Sequence, residues 1–467
     1  MELEQKIQEL QERHRQLRTK MNANHDPFVL KLPPEIASHI FVLSMDNLKT
    51  PYRFGAVCSG WRQLARTTPQ LWSRLAFSLP RRMNSTLIET LPHLVVDWLE
   101  RSGGLPLSLQ VSYYPSDLAG FPQRVLLSII DALKQHSARW HDVLFNIPIV
   151  CLQHFCPISP PKNLQKFSIF NTADADAAAT HFEPPRFSMN AGPGPMAFTM
   201  DAIPLKAFDV AWDRLVELVV RNTSLDGVLQ VIRGAPLLEK CSLVSLSPST
   251  VDVSEMIIHH PHLRKLDLFR LQTDVFTKII NSLELPSLKS WSFDSLEEND
   301  IAETATSFLK RFGSCLTTLE LCQDKAPPVT DLTPLFQATP HLQSLNLVGE
   351  GLSLVMDDIL ERLSASPSHS TSQTGGNTGF LSKLQSLEFI SRSALSTWSY
   401  IPLIFQWPHR KQLNLAIKTH TVTISDEVSS ELVQLVDQGI KLLVYDLSKR
   451  KDYLHVFREH GILESRN

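Results

Sequence analysis

The chain has 467 residues, with 45 lysines and arginines against 48 aspartates and glutamates and a formal net charge of −3. That length exceeds one ordinary core and calls for several domains or one elongated repeat array. The balanced charge excludes the bulk positive field that non-specific nucleic-acid binding needs, and it removes support for a membrane-surface role.

Residues 1–25 are charged and Gln-rich where a signal peptide is apolar, and no uninterrupted apolar run reaches the length of a membrane span. A soluble intracellular protein, cytoplasmic or nuclear, is expected. Within 1–22, Leu3, Ile7, Leu10, His14, Leu17 and Met21 recur at alternating steps of four and three, the a/d seam of a short coiled coil. Short isolated helices are weak in water. A solvated helix that frays or packs on its own domain therefore competes with weak self-association through this seam. Asn22 to Pro27 reads as a hinge.

Residues 28–77 read as several short helices. Pro33 and Pro34 suit a helix start, because a first-turn proline gives up no intrahelical hydrogen bond, and Glu35 complements the positive end of the helix dipole. Ile36, Ile40, Phe41 and Leu43 then form a stripe at helical spacing. After a break at Lys49-Thr50-Pro51, one further helix is expected to carry Val57, Cys58, Trp61 and Leu64 on one side, and a third segment ends in Leu71-Trp72. The stretch "MDNLKTPYRFGA" between the stripes is not diagnostic. So few residues make only a thin core, which should lean on its neighbours.

The order Leu32-Pro33, Glu35-Ile36, Ile40-Phe41, then Val57-Cys58 and Trp61-Arg62 resembles the F-box, the helical module that binds the Skp-type adaptor of a cullin-based ubiquitin ligase. The resemblance implies that Leu32, Pro33, Ile36, Ile40, Val57 and Trp61 face the adaptor. The competing reading makes them ordinary core.

Residues 78–139 are expected to hold connecting helices and irregular first repeats, and 140–450 an array. "LQKFSIF" at 164, "LVELVVR" at 215, "LEKCSLV" at 238, "LRKLDLF" at 263, "LKSWSFD" at 288, "LTTLELC" at 316, "LQSLNLV" at 342 and "LQSLEFI" at 384 share the form L-x-x-Φ-x-Φ, with Φ apolar. The period is roughly 25 residues, with the first and last gaps enlarged. Weaker copies lie at 140, 410 and 440, and Pro236, Pro261, Pro286 and Pro340 each precede a leading Leu by two. Between the copies the pattern turns helical, as in Val275, Phe276, Ile279, Ile280 and Leu283. One strand and one helix per unit of this length is a leucine-rich repeat, whose stacked units bury a continuous core. The expected fold class is therefore α/β: an N-terminal all-α F-box module followed by a leucine-rich-repeat solenoid, or horseshoe. The stretches 172–196 and 364–379 read as flexible loops, and 451–467 as a C-terminal tail.

Strand alternation sends the Φ side chains inward and leaves the intervening residues on the exposed sheet face. Aromatic and arginine side chains dominate interface hot spots, so Phe170, Arg221 and Phe269, together with Lys265, are the candidate partner-binding residues, against the reading of a merely solvated face.

Chemistry is sparse. The sequence carries no Gly-rich phosphate loop, G-x-S-x-G elbow, H-E-x-x-H or EF-hand loop, so no catalytic residue, metal or cofactor is expected. "HHPH" at 259–262 lacks cysteines at zinc spacing and reads as a solvated loop. The six cysteines, Cys58, Cys151, Cys156, Cys241, Cys315 and Cys322, form no disulfide framework or C-x-x-C pair and read as reduced, mostly buried thiols, Cys241 at an inward position. The acid pairs Asp357-Asp358 and Glu297-Glu298 read as solvated surface.

A helical adaptor-binding end followed by a long recognition array resembles the F-box plus leucine-rich-repeat proteins. "CSGWRQLARTTPQLWSRL" and "WLERSGGLPLSLQV" look similar to the F-box-like families of mushroom-forming fungi. The resemblance implies a non-catalytic substrate receptor, with a Skp-type adaptor and, through it, a cullin at one end and an unknown target protein at the other. The alternatives are a protein-binding scaffold without ubiquitin transfer and, more remotely, a hydrolase whose site escapes motif reading.

Overall fold

The computed structural model describes residues 2–25, 27–45, 50–79, 85–113, 123–156, 158–172, 186–189, 192–248, 257–294, 299–324, 332–365 and 379–464. The chain divides into two compact units, Met1–Leu215 and Val216–Asn467.

The first unit opens with helices α1 (Glu2–His25), α2 (Pro27–Lys31), α3 (Pro34–Leu43), α4 (Thr50–Val57) and α5 (Ser59–Arg66). Two sequence expectations are corrected here. Thr50-Pro51 starts α4 rather than separating helices, so most of the undiagnostic stretch is helical. Val57 and Trp61 do not share a helix: Val57 ends α4, and Cys58, extended at φ −153° and ψ 175°, caps α5 by accepting the Trp61 N–H on Sγ at 3.4 Å. The periodicity was right on each side, but one extended residue resets the helical phase between them.

A 3-10 turn at Pro69–Leu71 leads into β1 (Arg74–Leu79), α6 (Ser85–Arg101), β2 (Leu107–Tyr113), α7 (Gln123–Gln135), β3 (Trp140–Ile147), β4 (Lys166–Asn171), β5 (Phe187–Ser188), β6 (Ala197–Asp201) and β7 (Phe208–Asp209). Strands β1, β2, β3, β4 and β6 lie side by side and parallel, and β5 pairs with β7. The strand–helix alternation thus begins at Arg74, well before residue 140 and inside the segment assigned to the helical module. The sequence hid β1 and β2 because "LAFSL" and "LSLQVSY" lack the L-x-x-Φ-x-Φ lead. The loop expected at 172–196 is also corrected at its far end. Phe187 and Met189 are buried, Phe187 stacks on Phe167 with ring centroids 5.2 Å apart, and a Cβ on Gly194 would lie 1.8 Å from the Ala211 carbonyl oxygen. Residues 173–185 of that loop lie outside the described residues.

The second unit contains β8 (Glu217–Arg221), α8 (Val228–Gly234), β9 (Lys240–Val244), β10 (Ile258–His259), β11 (Lys265–Phe269), α9 (Thr273–Ser282), β12 (Leu283–Glu284), β13 (Ser290–Asp294), α10 (Asn299–Phe312) and β14 (Thr318–Cys322). It continues with α11 (Thr333–Gln337), β15 (Ser344–Val348), α12 (Ser353–Ser364), β16 (Ser386–Ser391), α13 (Tyr400–Phe405), β17 (Asn414–Thr419), α14 (Asp426–Asp437), β18 (Leu442–Asp446), β19 (Lys451–Asp452) and α15 (Tyr453–Glu464). From β8 to β18 the principal strands run parallel and in register, while β10 and β12 form a separate pair and β19 closes antiparallel. Each strand returns to the same edge through a crossover, and that return makes neighbours parallel. The expected tail at 451–467 is therefore built structure as far as Glu464, with Leu454 buried. Most of the expected loop at 364–379 lies outside the described residues.

The core follows the repeat. Every leading Leu from Leu164 to Leu384 is buried, as are both Φ residues of each copy, from Phe167 and Ile169 to Leu387 and Phe389. The prolines have a structural reason. Leu238, Leu288 and Leu342 close turns onto the carbonyls of Ala235, Leu285 and Thr339, and Pro236, Pro286 and Pro340 occupy the second turn position, where a fixed φ suits the turn. The opposite strand ends also repeat: Asn222, Ser245 and Arg270, each directly after a strand, sit at φ 50–54°, and Gly349 at φ 116°. A Cβ on Gly349 would lie 2.0 Å from the Gln323 carbonyl oxygen, so glycine is required there.

Candidate functional site

Helix α3 carries apolar side chains both toward its own module and toward solvent. Pro33 caps it at φ −54° and ψ 141°, and its carbonyl accepts the N–H groups of Ile36 and Ala37 at 3.0 Å each. Ala37 and Phe41 point into the module and are buried. Ile36 and Ile40, each roughly 100° round the helix from its buried neighbour, are 50% and 37% exposed, Leu43 is 73% exposed, and Val57 at the end of α4 is 54% exposed. Pro33 is exposed and Leu32 half-buried. Leu30 and Leu43 belong to this exposed apolar set as well. Leu43 was visible in the stripe, and Leu30 precedes the motif and carried no signal.

Trp61 is placed differently from the other five resemblance residues. Its half-buried ring sits in an aromatic cluster of its own module, with centroids 4.9 Å from Phe28, 5.0 Å from Phe41 and 6.0 Å from Phe54. Phe28 and Phe54 lie outside the apolar stripes of the sequence, and they supply the faces that hold the indole. Trp61 thus orders α3 against α5 before it contributes to any surface.

The thin module leans on its neighbour, as expected. Trp72 donates Nε1–H to the Ala65 carbonyl at 2.7 Å, meets Trp98 of α6 edge-on at 4.8 Å, and carries the Arg101 guanidinium over its ring at 4.7 Å. Thr68 Oγ1 donates to the Leu64 carbonyl at 2.7 Å and lies 3.1 Å from Ser38 Oγ of α3.

The exposed sheet faces carry the second candidate set. Phe170 lies in the first unit on β4, in register between Asn146 and Asp201, and is half-buried. In the second unit, Arg221, Val244 and Phe269 form one register row across β8, β9 and β11, while Lys265 lies on the same face between Lys240 and Ser290. Arg221, Lys265 and Phe269 therefore share one face, and Phe170 belongs to the other unit's sheet. Ion pairs stud the second unit's face: Lys265 Nζ to Asp267 at 3.2 Å, Lys240 to Glu217 at 3.9 Å, and Lys418 to Glu388 at 2.5 Å. Near its far edge a shallow concavity of about 360 Å³ is lined by Ser386, Glu388, Asn414, Ala416, Lys441 and Leu443. The copies at 410 and 440 lack the leading Leu, which left β17 and β18 weakly marked.

Several of the remaining chemistry-bearing groups take part in packing and hydrogen bonding. The solvated-loop reading of "HHPH" is corrected at His260, which is 3% exposed and donates Nε2–H to the Ala235 carbonyl at 2.8 Å. Burial holds its pKa below the ordinary histidine value. Ala235, Leu285 and Thr339 occupy the same inward place before the turn in other repeats, so period rather than polarity sets the environment of His260. Among the described residues no three His, Cys, Asp or Glu side chains converge as metal ligands. Asp357 is not merely solvated: it accepts from Ser396 Oγ at 2.6 Å and Thr397 Oγ1 at 2.5 Å, tying α12 to the turn before α13. Asp358 pairs with Arg362 at 2.9 Å, and Glu297-Glu298 lies outside the described residues. The cysteines are free thiols, three of them raised by burial: Cys151 to about 11, and Cys241 and Cys322 to about 12.

A family model described as F-box-like matches residues 29–78, so the exposed α3 surface belongs to an F-box-like domain. Such a domain points, at a coarse level, to a substrate-recognition adaptor of an SCF-type complex and to binding of a Skp-type adaptor. No curated protein matches the chain.

Proposed function

We propose that this protein is the substrate-recognition subunit of a cullin-RING ubiquitin ligase of the SCF type, similar to the F-box-like families of mushroom-forming fungi. In this reading Leu32, Pro33, Ile36, Ile40 and Val57 contact a Skp-type adaptor and, through it, a cullin, and Trp61 holds α3 and α5 in the geometry that presents them. The strand–helix array is read as a leucine-rich-repeat solenoid, and its exposed strand residues, Phe170 in the first unit and Arg221, Lys265 and Phe269 in the second, are the candidates for receiving a target protein. In this reading the chain is a non-catalytic subunit. Its contribution is proximity, which raises the effective concentration of the target beside a ubiquitin-charged enzyme. Action in the cytoplasm or nucleus follows from that partnership.

The observation that carries this reading is the apolar outer face of α3, where Ile36 and Ile40 are exposed one turn apart inside an F-box-like domain. The test is co-purification of the full chain with a Skp-type adaptor, comparing wild type with an Ile36→Asp/Ile40→Asp variant. Wild type should retain the adaptor and the variant should lose it by roughly a hundredfold or more, because buried interface anchors dominate affinity. Both side chains are exposed, so the variant should unfold at the wild-type temperature. Failure of the wild type to retain any adaptor would leave a protein-binding scaffold without ubiquitin transfer.

A further inference from the structure

Helix α1 touches α5, yet its apolar seam stays largely open to solvent: Leu3, Ile7, Leu10, Leu17 and Met21 range from 50% exposed at Ile7 to 78% at Leu3. From residue 3 to residue 21, every aliphatic side chain of the helix lies on this seam. A stripe confined to two positions in seven is a coiled-coil seam, whereas a helix lying on a membrane has a broader apolar face with aromatic residues. The steps place Leu3, Leu10 and Leu17 at d, and Ile7, His14 and Met21 at a. Leucine at d with a β-branched residue and one polar residue at a is a two-stranded pattern.

The flanks decide what the second strand is. The g positions are Lys6, Arg13 and Lys20, and the e positions Glu4, Gln11 and Arg18. Glu9 and Glu12 fall at c and f, away from the seam, and Glu12 is engaged there by Arg15 at 3.2 Å. In a parallel pair g faces e of the next heptad. Two copies of α1 would then oppose Arg13 to Arg18 and give Lys6 and Lys20 no carboxylate. In an antiparallel pair g faces g, which opposes Lys6 to Lys20 and Arg13 to Arg13, against attraction only between Glu4 and Arg18. Like charges at these positions select against a pairing, and opposite charges set partner choice.

We infer that α1 is one strand of a heteromeric two-stranded coiled coil, and that its partner is a helix of a different protein, apolar at a and d and acidic at the positions facing Lys6, Arg13 and Lys20. This stands independently of the adaptor reading, because it uses no residue of the F-box-like domain. The expectation of self-association through this seam gives way to a pairing with an acidic strand.

The test uses the full chain and two synthetic helices, identical in isoleucine at a and leucine at d, with glutamate at every e and g position in one and lysine in the other. Titration calorimetry should show binding of the glutamate helix, weakened by salt, and at least roughly tenfold weaker binding of the lysine helix, since each flanking ion pair adds a small increment. Lys6→Glu/Arg13→Glu/Lys20→Glu should reverse that preference, and Leu10→Glu should abolish both. All these side chains are exposed, and circular dichroism of each variant reports whether α1 keeps its helix. Equal affinity for the two helices overturns the inference. So does an α1-dependent dimer of the wild type tighter than its complex with the glutamate helix, or phosphatidylserine vesicles that displace that helix.

Discussion

Single residues divide by whether their type or their surroundings set their role. Cys241 was legible from its inward place in the strand, and burial raises its thiol from 9.0 to about 12. The native state therefore holds this proton while the unfolded chain releases it. Stability from this group is complete below pH 9.0 and is lost as pH rises toward about 12. Denaturant titrations through that window should fall by roughly 1.4 kcal/mol per pH unit more in wild type than in Cys241→Val. Trp61 is the opposite case. The motif marked it for a partner, but three phenylalanines take its faces. Trp61→Ala should cost about 2–3 kcal/mol in thermal or chemical unfolding, short of a fully buried tryptophan because the ring is half-exposed. An unchanged unfolding transition would return Trp61 to the surface. Ile36 and Ile40 differ from it because nothing within the described residues covers their exposed sides, so their loss should be felt in binding and not in stability.

At the scale of elements, one strand and its flanking helices behave as a unit. Trp291 and Phe293 of β13 lie 4.4 Å apart and are fully buried, with Phe276 of α9 and Phe308 of α10 against Trp291 at 6.3 Å and 5.1 Å. Trp291→Ala should therefore cost about 3–5 kcal/mol. Hydrogen exchange should speed up in β11 and β14 as well as β13, because a repeat is held mainly by its neighbours. A rise confined to β13 would mean that the repeats are stabilised one at a time. The elements themselves were legible where period and lead residue agreed: all eight leading copies became strands. They were missed where the pattern was interrupted for a physical reason. Cys58 resets the helical phase between α4 and α5, β1 and β2 lack the leading Leu, and Phe187 is a core residue set in a polar string.

For the whole chain, local pattern was enough to read an α/β organisation with a helical N-terminal segment, strands at a period of roughly 25 residues, and the inward or outward sense of the side chains in the eight L-x-x-Φ-x-Φ copies. It could do so because strand alternation and repeat period are local, and hydrophobic burial acts on every copy alike. Packing between distant segments leaves Trp61 shared between core and surface while Ile36 and Ile40 stay open. The same packing buries His260 at its place in the repeat and sets Phe170 in a different unit from Arg221, Lys265 and Phe269. These outcomes depend on which side chains from distant segments fill a given space, and no periodicity along one segment records what arrives from another.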